Sequence, residues 1–139
     1  MTGFITRSAI VLQLAYSAML VAVGTAGILS ARWELATIFK IDPSSWPGDI
    51  QATMLNQYRF LKGLELGAGI FCMAYRADIM AGGRASKVFL VIVATGIAGR
   101  AFAWAVDGRP ATLFVIFLVL EALTLIAVAL HLRLMDVSQ

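Results

Sequence analysis

Residues 9–30 read AIVLQLAYSAMLVAVGTAGILS, and this stretch contains no charged side chain. Arg7 and Arg32 flank it on the two sides. At about 1.5 Å per residue, a helix of this length crosses the roughly 30 Å of hydrocarbon in a bilayer. A cleavable signal peptide would have a shorter apolar region of about 7 to 15 residues, followed by a small-residue cleavage site. The stretch therefore predicts a full transmembrane helix.

The rest of the chain has the same apolar character. Of its 139 residues, 60% are hydrophobic and 14% are charged, whereas a soluble domain is about half apolar and about a quarter charged. Such an excess of apolar residues cannot be buried in one small soluble core, so most of it must face lipid. Further spans are predicted over residues 53–75, 87–106 and 110–132. The sequence predicts an all-α fold, a four-transmembrane-helix bundle that forms one domain over residues 1–139.

Short connections are expected between the last three predicted spans. Gly82 and Gly83 supply the backbone freedom for a reversal between the second and third spans. Asp107 and Gly108 have turn chemistry, and Pro110 suits the first turn of the last helix. These signals predict antiparallel neighbours.

The first loop, residues 31–52, is long and aromatic, and we expect it to lie along the outer membrane interface. It is predicted to begin as a short helix over residues 32–39. Two interpretations are open: the loop is an aromatic anchor, or it is a lid over a cavity. The tryptophans expected to anchor the protein at the interface are Trp33, Trp46 and Trp104.

Basic residues set the expected orientation. Five positive side chains lie on the side of the two termini and of the glycine loop, against three on the other side. The positive-inside rule then predicts that both termini are cytoplasmic, which in a bacterium means a protein of the inner (cytoplasmic) membrane. The basic residues are scattered singly, so no nucleic acid partner is predicted. The five are Arg7, Arg76, Arg84, Lys87 and Arg133, and the three are Arg32, Lys40 and Arg109.

Charged side chains also occur inside the predicted spans. A charge near mid-bilayer costs at least about 2.5 to 3.5 kcal/mol, so each should face the bundle interior, a partner or water. The helix rise places Glu65 and Glu121 near the midplane, and Arg59 and Arg100 in a shallower layer. Lys62 and Glu65 are spaced to pair on one helix. We predict that Arg59, Lys62, Glu65, Arg100 and Glu121 form an ion network or a ligand-binding site.

Small residues are expected to bring the helices close together, because lipid offers no hydrophobic drive for helix association. On the first and second spans, small residues at every fourth position form a face on which another helix can pack closely. On the third span one glycine has this role. The residues are Ala18, Ala22 and Ala26, then Gly63 and Gly67, then Gly96.

No motif identifies a reaction. His131 is the only histidine and is expected near the cytoplasmic interface, while Cys72 is the only cysteine and is expected to pack inside an apolar stretch. Neither a phosphate-binding glycine loop nor a nucleophile elbow is present. No catalytic residue, metal site or cofactor is therefore predicted.

Several short motifs resemble those of a known family. Gln57-Tyr-Arg-Phe60 leads into Gly63 and Gly67, and Gly99-Arg100 is followed by Asp107-Gly108. These motifs are similar to those of a bacterial family of small four-helix membrane proteins of unknown function. The layout more remotely resembles the DoxX-type membrane proteins, some of which are accessory partners of oxidoreductases. The resemblance implies the four-helix fold and supplies no activity.

Three functions remain open from the sequence. The leading hypothesis is a non-catalytic accessory subunit that lies in the lipid bilayer. It would pack against a partner membrane protein or a second copy of itself. The alternative is a ligand-handling protein that binds or carries a lipid or a small polar molecule at Glu65 and Glu121. A membrane enzyme that uses one glutamate as an acid or base is the weakest of the three.

Overall fold

The computed structural model describes residues 2–137, and all regular structure in that range is helical. The all-α prediction is confirmed. Four helices are long: α1 (Thr2–Leu29), α3 (Gly48–Ala74), α5 (Arg84–Asp107) and α6 (Thr112–Val137). Two are short: α2 (Ala31–Thr37) and α4 (Arg76–Met80). A single 3-10 turn (Pro43–Ser45) lies in the first loop.

Three of the long helices, α1, α5 and α6, are long and apolar enough to span a membrane. α3 is also long, at 27 residues. However, any 18 consecutive residues within it contain Arg59, Lys62 and Glu65, and this charge separates it from the apolar three. The predicted four-span bundle is therefore supported only as an all-helical chain with three candidate spans.

The long helices differ from their predicted limits at the N-terminal ends. α1 begins at Thr2, well before residue 9, because Arg7 ends an apolar run without ending a helix. α3 begins at Gly48 and not at residue 53, because Asp49 likewise ends the apolar run without ending the helix. α6 begins at Thr112, so Pro110 precedes the helix and does not lie in its first turn.

Two glycines make the predicted reversals. Gly82 has φ +83° and Gly108 has φ +91°, a region that side chains with a Cβ rarely adopt. The N–H of Gly108 donates to the carbonyl of Trp104 at 3.2 Å and so closes the end of α5. The turn predictions at both positions are confirmed, although α4, which precedes the first of them, was not predicted.

The chain divides into two compact units. Unit 1 combines the residues up to Tyr16 with the residues from Cys72 onward, and unit 2 is Ser17–Phe71. Aromatic packing in unit 1 joins Tyr16 and Phe89, whose rings meet edge to face at 6.3 Å. In unit 2 the apolar core consists of Ala31, Leu35 and Leu55, with Phe39 and Tyr58 packed against it.

Polar side chains join the helices of unit 1 to one another. Gln13 donates to the carbonyl of Cys72 at 2.8 Å, which ties α1 to the end of α3. His131 is buried, with Nδ1 3.2 Å from the Thr6 hydroxyl and Nε2 3.1 Å from the Met80 carbonyl. The expected interfacial histidine is therefore a buried connection between α1, α4 and α6.

Glycines bring α1 and α3 together in unit 2, but not the small residues that were predicted. A Cβ on Gly24 would lie 2.6 Å from the Leu66 backbone nitrogen, and one on Gly69 would lie 2.8 Å from a Val21 methyl group. The predicted small residues on α1 are exposed, and a Cβ on the predicted glycines of α3 and α5 would meet nothing within 4 Å. Within the chain the predicted faces therefore bring no helices together, because spacing alone does not select one face of an apolar helix. These residues are Ala18, Ala22 and Ala26, with Gly63, Gly67 and Gly96.

Candidate functional site

Lys62 is the centre of an ion cluster in unit 2. Its Nζ lies 3.0 Å from a carboxylate oxygen of Glu65, one turn further along α3, and 3.8 Å from a carboxylate oxygen of Glu34 in α2. Lys62 and Glu34 are each only 6% exposed. A buried charge is stable only when it is paired. The single ammonium group of Lys62 is the positive partner of both carboxylates.

A glycine and an aromatic ring hold the Lys62 side chain in place. Its aliphatic stem lies against Gly27 of α1, where a Cβ would be 2.8 Å from Cε and closer to Cγ and Cδ. Its ammonium group lies 5.4 Å from the ring centroid of Tyr58, within the range of a cation–π interaction. Three helices therefore determine the position of this charge.

Two arginines of unit 2 bond to neutral acceptors. Arg59 donates through Nε to the carbonyl of Ile28 at 3.1 Å, and Arg32 donates through Nη2 to the Gln51 side-chain oxygen at 3.0 Å. Neither guanidinium forms a salt bridge with a carboxylate among residues 2–137. No carboxylate in this part of the chain therefore balances either positive charge.

The ion pair of unit 1 joins α5 to α6. Nε of Arg100 lies 3.0 Å and 3.3 Å from the two carboxylate oxygens of Glu121. Glu121 is buried, whereas the side chain of Arg100 is 28% exposed. The guanidinium also lies 5.7 Å from the ring centroid of Phe114 and 6.0 Å from that of Phe117. Two aromatic rings therefore border the arginine side of this ion pair.

A cavity of about 310 Å³ opens beside Arg100, at the turn between α5 and α6. Its volume is at the lower end of the range for small-molecule sites. Charged, aromatic and apolar side chains line it together. The charged and aromatic ones are Arg100, Trp104, Asp107, Arg109 and Phe114.

The three predicted anchor tryptophans are all accessible to some degree. Trp33 is well exposed on α2, Trp104 is exposed near the end of α5, and Trp46 is partly buried after the 3-10 turn. Their role as interface anchors stays a prediction.

The 3-10 turn of the first loop is stabilised by Asp42, whose carboxylate accepts hydrogen bonds from the Ser44 hydroxyl at 2.7 Å and from the Ser44 backbone N–H at 2.9 Å. These bonds lower the pKa of Asp42 below its ordinary value.

The five predicted site residues therefore fall into two groups with separate partners. Lys62 pairs with Glu65 in unit 2, as their spacing predicted, and Arg100 pairs with Glu121 in unit 1. Arg59 bonds to a backbone carbonyl instead of a carboxylate. Whether these residues form a ligand site or an ion network in function stays a prediction.

Sequence reasoning missed Glu34, which lies in the first loop. The only available signal was an acidic residue within the short amphipathic stretch that follows the first span. Within residues 2–137, no group of three or more His, Cys, Asp or Glu side chains is placed to hold a metal ion.

The chain matches a known protein family. A model described as a domain of unknown function, DUF4345, matches residues 8–132. The chain belongs to the DUF4345 family. All of the ion-paired residues described above lie within the matched part of this DUF4345 protein, so the contacts belong to its family domain. No curated protein and no solved structure matches the chain.

Proposed function

We propose that this DUF4345 protein is a four-span membrane protein that acts as a non-catalytic interaction subunit. Its partner would be a transmembrane helix of another membrane protein or of a second copy of the chain. A bacterial inner membrane location with cytoplasmic termini, and a remote likeness to DoxX-type accessory proteins, belong to the same proposal.

The pairing of charges in unit 2 supports α3 as the fourth span. At about 1.5 Å per residue, its 27 residues are long enough to cross the hydrocarbon. The ammonium group of Lys62 is shared between Glu65 and Glu34, which lowers the cost of placing α3 in lipid. Only Arg59 within this helix lacks a carboxylate partner.

One observation carries the proposed interaction: the exposed small residues of α5. This helix is the least buried of the three apolar spans. Gly96, Gly99 and Ala103 recur at the spacing of one helix face and are all exposed, and a Cβ on either glycine would meet nothing within 4 Å. Transmembrane helices associate through such faces because their backbones can approach closely.

Native mass spectrometry of the gently solubilised protein tests the interaction. We expect a stoichiometric complex, either with a second copy or with another membrane protein. Gly96→Leu and Gly99→Leu should dissociate it, whereas Val91→Leu, on the exposed surface nearer the start of α5, should not. A monomer in every preparation, unaffected by these substitutions, would contradict the proposal. Cysteine labelling from each side of the membrane at positions 49 and 76, near the two ends of α3, tests the fourth span independently.

A ligand-handling function is the second candidate, and the cavity beside Arg100 favours it. The guanidinium is fixed by Glu121 through Nε alone, so its terminal nitrogens are available for a bound polar group. Under this function a monomer should copurify with one defined lipid or small molecule. Glu121→Gln should release that molecule while the helices remain folded.

A further inference from the structure

A second cavity lies in unit 2 and is rich in positive charge. Its volume is about 550 Å³, and six residues of α2 and α3 line it. Two of the six are arginines and none is acidic. The residues are Arg32, Ala52, Leu55, Asn56, Arg59 and Phe60.

The two arginines of this cavity are oriented but not neutralised. Arg59 is fixed through one bond to the Ile28 carbonyl, and Arg32 through one bond to the Gln51 amide oxygen. A guanidinium has five N–H donors, so most of the donors on each arginine remain available. The amide of Asn56, on the same lining, adds a neutral donor.

The position of Arg59 makes an external anion the natural counter-charge. It lies six residues inside the predicted limit of the span at residue 53, which is about 9 Å along the helix axis. A charge at this depth in a span is unfavourable unless it is paired or reaches water. Lys62 of the same helix already pairs with the carboxylates of Glu34 and Glu65, and no acidic side chain of unit 2 forms a salt bridge with Arg59.

We propose that this cavity binds the phosphate group of an anionic ligand, with Arg32 and Arg59 as the two guanidinium forks and Asn56 as a third donor. The planar fork of arginine matches phosphate in a bidentate manner. Leu55 and Phe60 give the cavity an apolar wall, which suits a ligand with an acyl chain. An anionic phospholipid is therefore the expected source of the phosphate, and free phosphate is the alternative source.

This inference rests on the second candidate function and on the placement of α3 in the membrane. Its test measures lipid retention and is independent of the interaction surface on α5. The protein is reconstituted in nanodiscs that contain either phosphatidylglycerol or phosphatidylcholine. Lipid retention after transfer to detergent is then measured by native mass spectrometry. Phosphatidylcholine is the control because its quaternary ammonium cancels the phosphate charge.

We expect the wild-type protein to retain phosphatidylglycerol in preference to phosphatidylcholine. Arg59→Gln should weaken this retention by about tenfold, since a charge-assisted hydrogen bond is lost. Lys40→Gln removes one positive charge from an exposed position in the same unit that does not line the cavity, and should change retention by less than about twofold.

A second variant protects the test against a failure of Arg59→Gln to fold. Asn56→Asp places a negative charge in the cavity at an exposed position, and it should repel the ligand to a similar extent. Displacement of the lipid by millimolar inorganic phosphate, with the same sensitivity to both variants, would support phosphate recognition and identify free phosphate as the source. Equal retention of both lipids by wild type, Arg59→Gln and Asn56→Asp would overturn the inference, whatever the result for the α5 surface.

Discussion

The side-chain stem of Lys62 occupies the space in which any residue larger than glycine at position 27 would place its Cβ. Gly27 and Lys62 therefore form one structural feature, although they lie on different helices. The contact explains how a flexible lysine can be directed at two carboxylates, because its Cγ, Cδ and Cε atoms lie against Gly27 of α1. The ion cluster therefore depends on the absence of a Cβ atom at position 27.

Gly27→Ala is expected to lower the free energy of unfolding by about 1–3 kcal/mol, as other overpacking substitutions do. The new methyl group would displace the Lys62 stem and pull the ammonium away from Glu34. Unfolding by SDS titration in mixed micelles measures the change. Gly63→Ala is the matched control, because a Cβ there meets nothing within 4 Å. Equal effects of the two substitutions would show that Lys62 does not need the glycine.

Lys62→Met should be more harmful than Glu65→Gln. Loss of the ammonium leaves the buried Glu34 without a positive partner, and this should cost about 3 kcal/mol. Glu65 is 32% exposed, so removing its charge should change stability by less than about 1 kcal/mol. The same SDS titration compares the two variants. The reverse order would mean that the i,i+3 pair, and not the contact with α2, is the stabilising one.

The sequence predicted the long helices and the pair of Lys62 with Glu65, for physical reasons. Apolar length is a local property, so α1, α5 and α6 were identifiable from composition, and Lys62 and Glu65 could be paired because they lie on one helix. Glu34 could not be assigned, because its contact with Lys62 depends on how α2 turns after the first span. The face of α1 that packs against α3 could not be predicted either. Several faces of α1 carry small residues, and only the packing shows that Gly24 and Gly27 are the ones in contact.

The turn at Asp42 should become less stable in acid. Its pKa is lowered by the Ser44 hydroxyl and backbone N–H, so these bonds stabilise the turn fully above the ordinary pKa and are lost as pH falls through the lowered value. An NMR titration of the Asp42 carboxyl group measures this pKa. Ser44→Ala should move it toward the ordinary value. Ser45→Ala should leave it nearly unchanged, because that hydroxyl donates to the Asp42 backbone carbonyl and not to the carboxylate.

Arg100→Gln should destabilise unit 1 more than Glu121→Gln does. Glu121 is 4% exposed, whereas the long side chain of Arg100 can turn toward the cavity beside it. We expect a loss of about 2–3 kcal/mol for Arg100→Gln and about 1 kcal/mol for Glu121→Gln.

A double-mutant cycle on Arg100 and Glu121 separates this effect from simple loss of packing. If the pair interacts as the 3.0 Å contact indicates, adding Glu121→Gln to Arg100→Gln should recover part of the lost stability, because the buried carboxylate is then neutral. The coupling energy should be about 1–2 kcal/mol. Strictly additive losses would mean that Arg100 stabilises α5 and α6 mainly through Phe114 and Phe117, whose rings it also contacts.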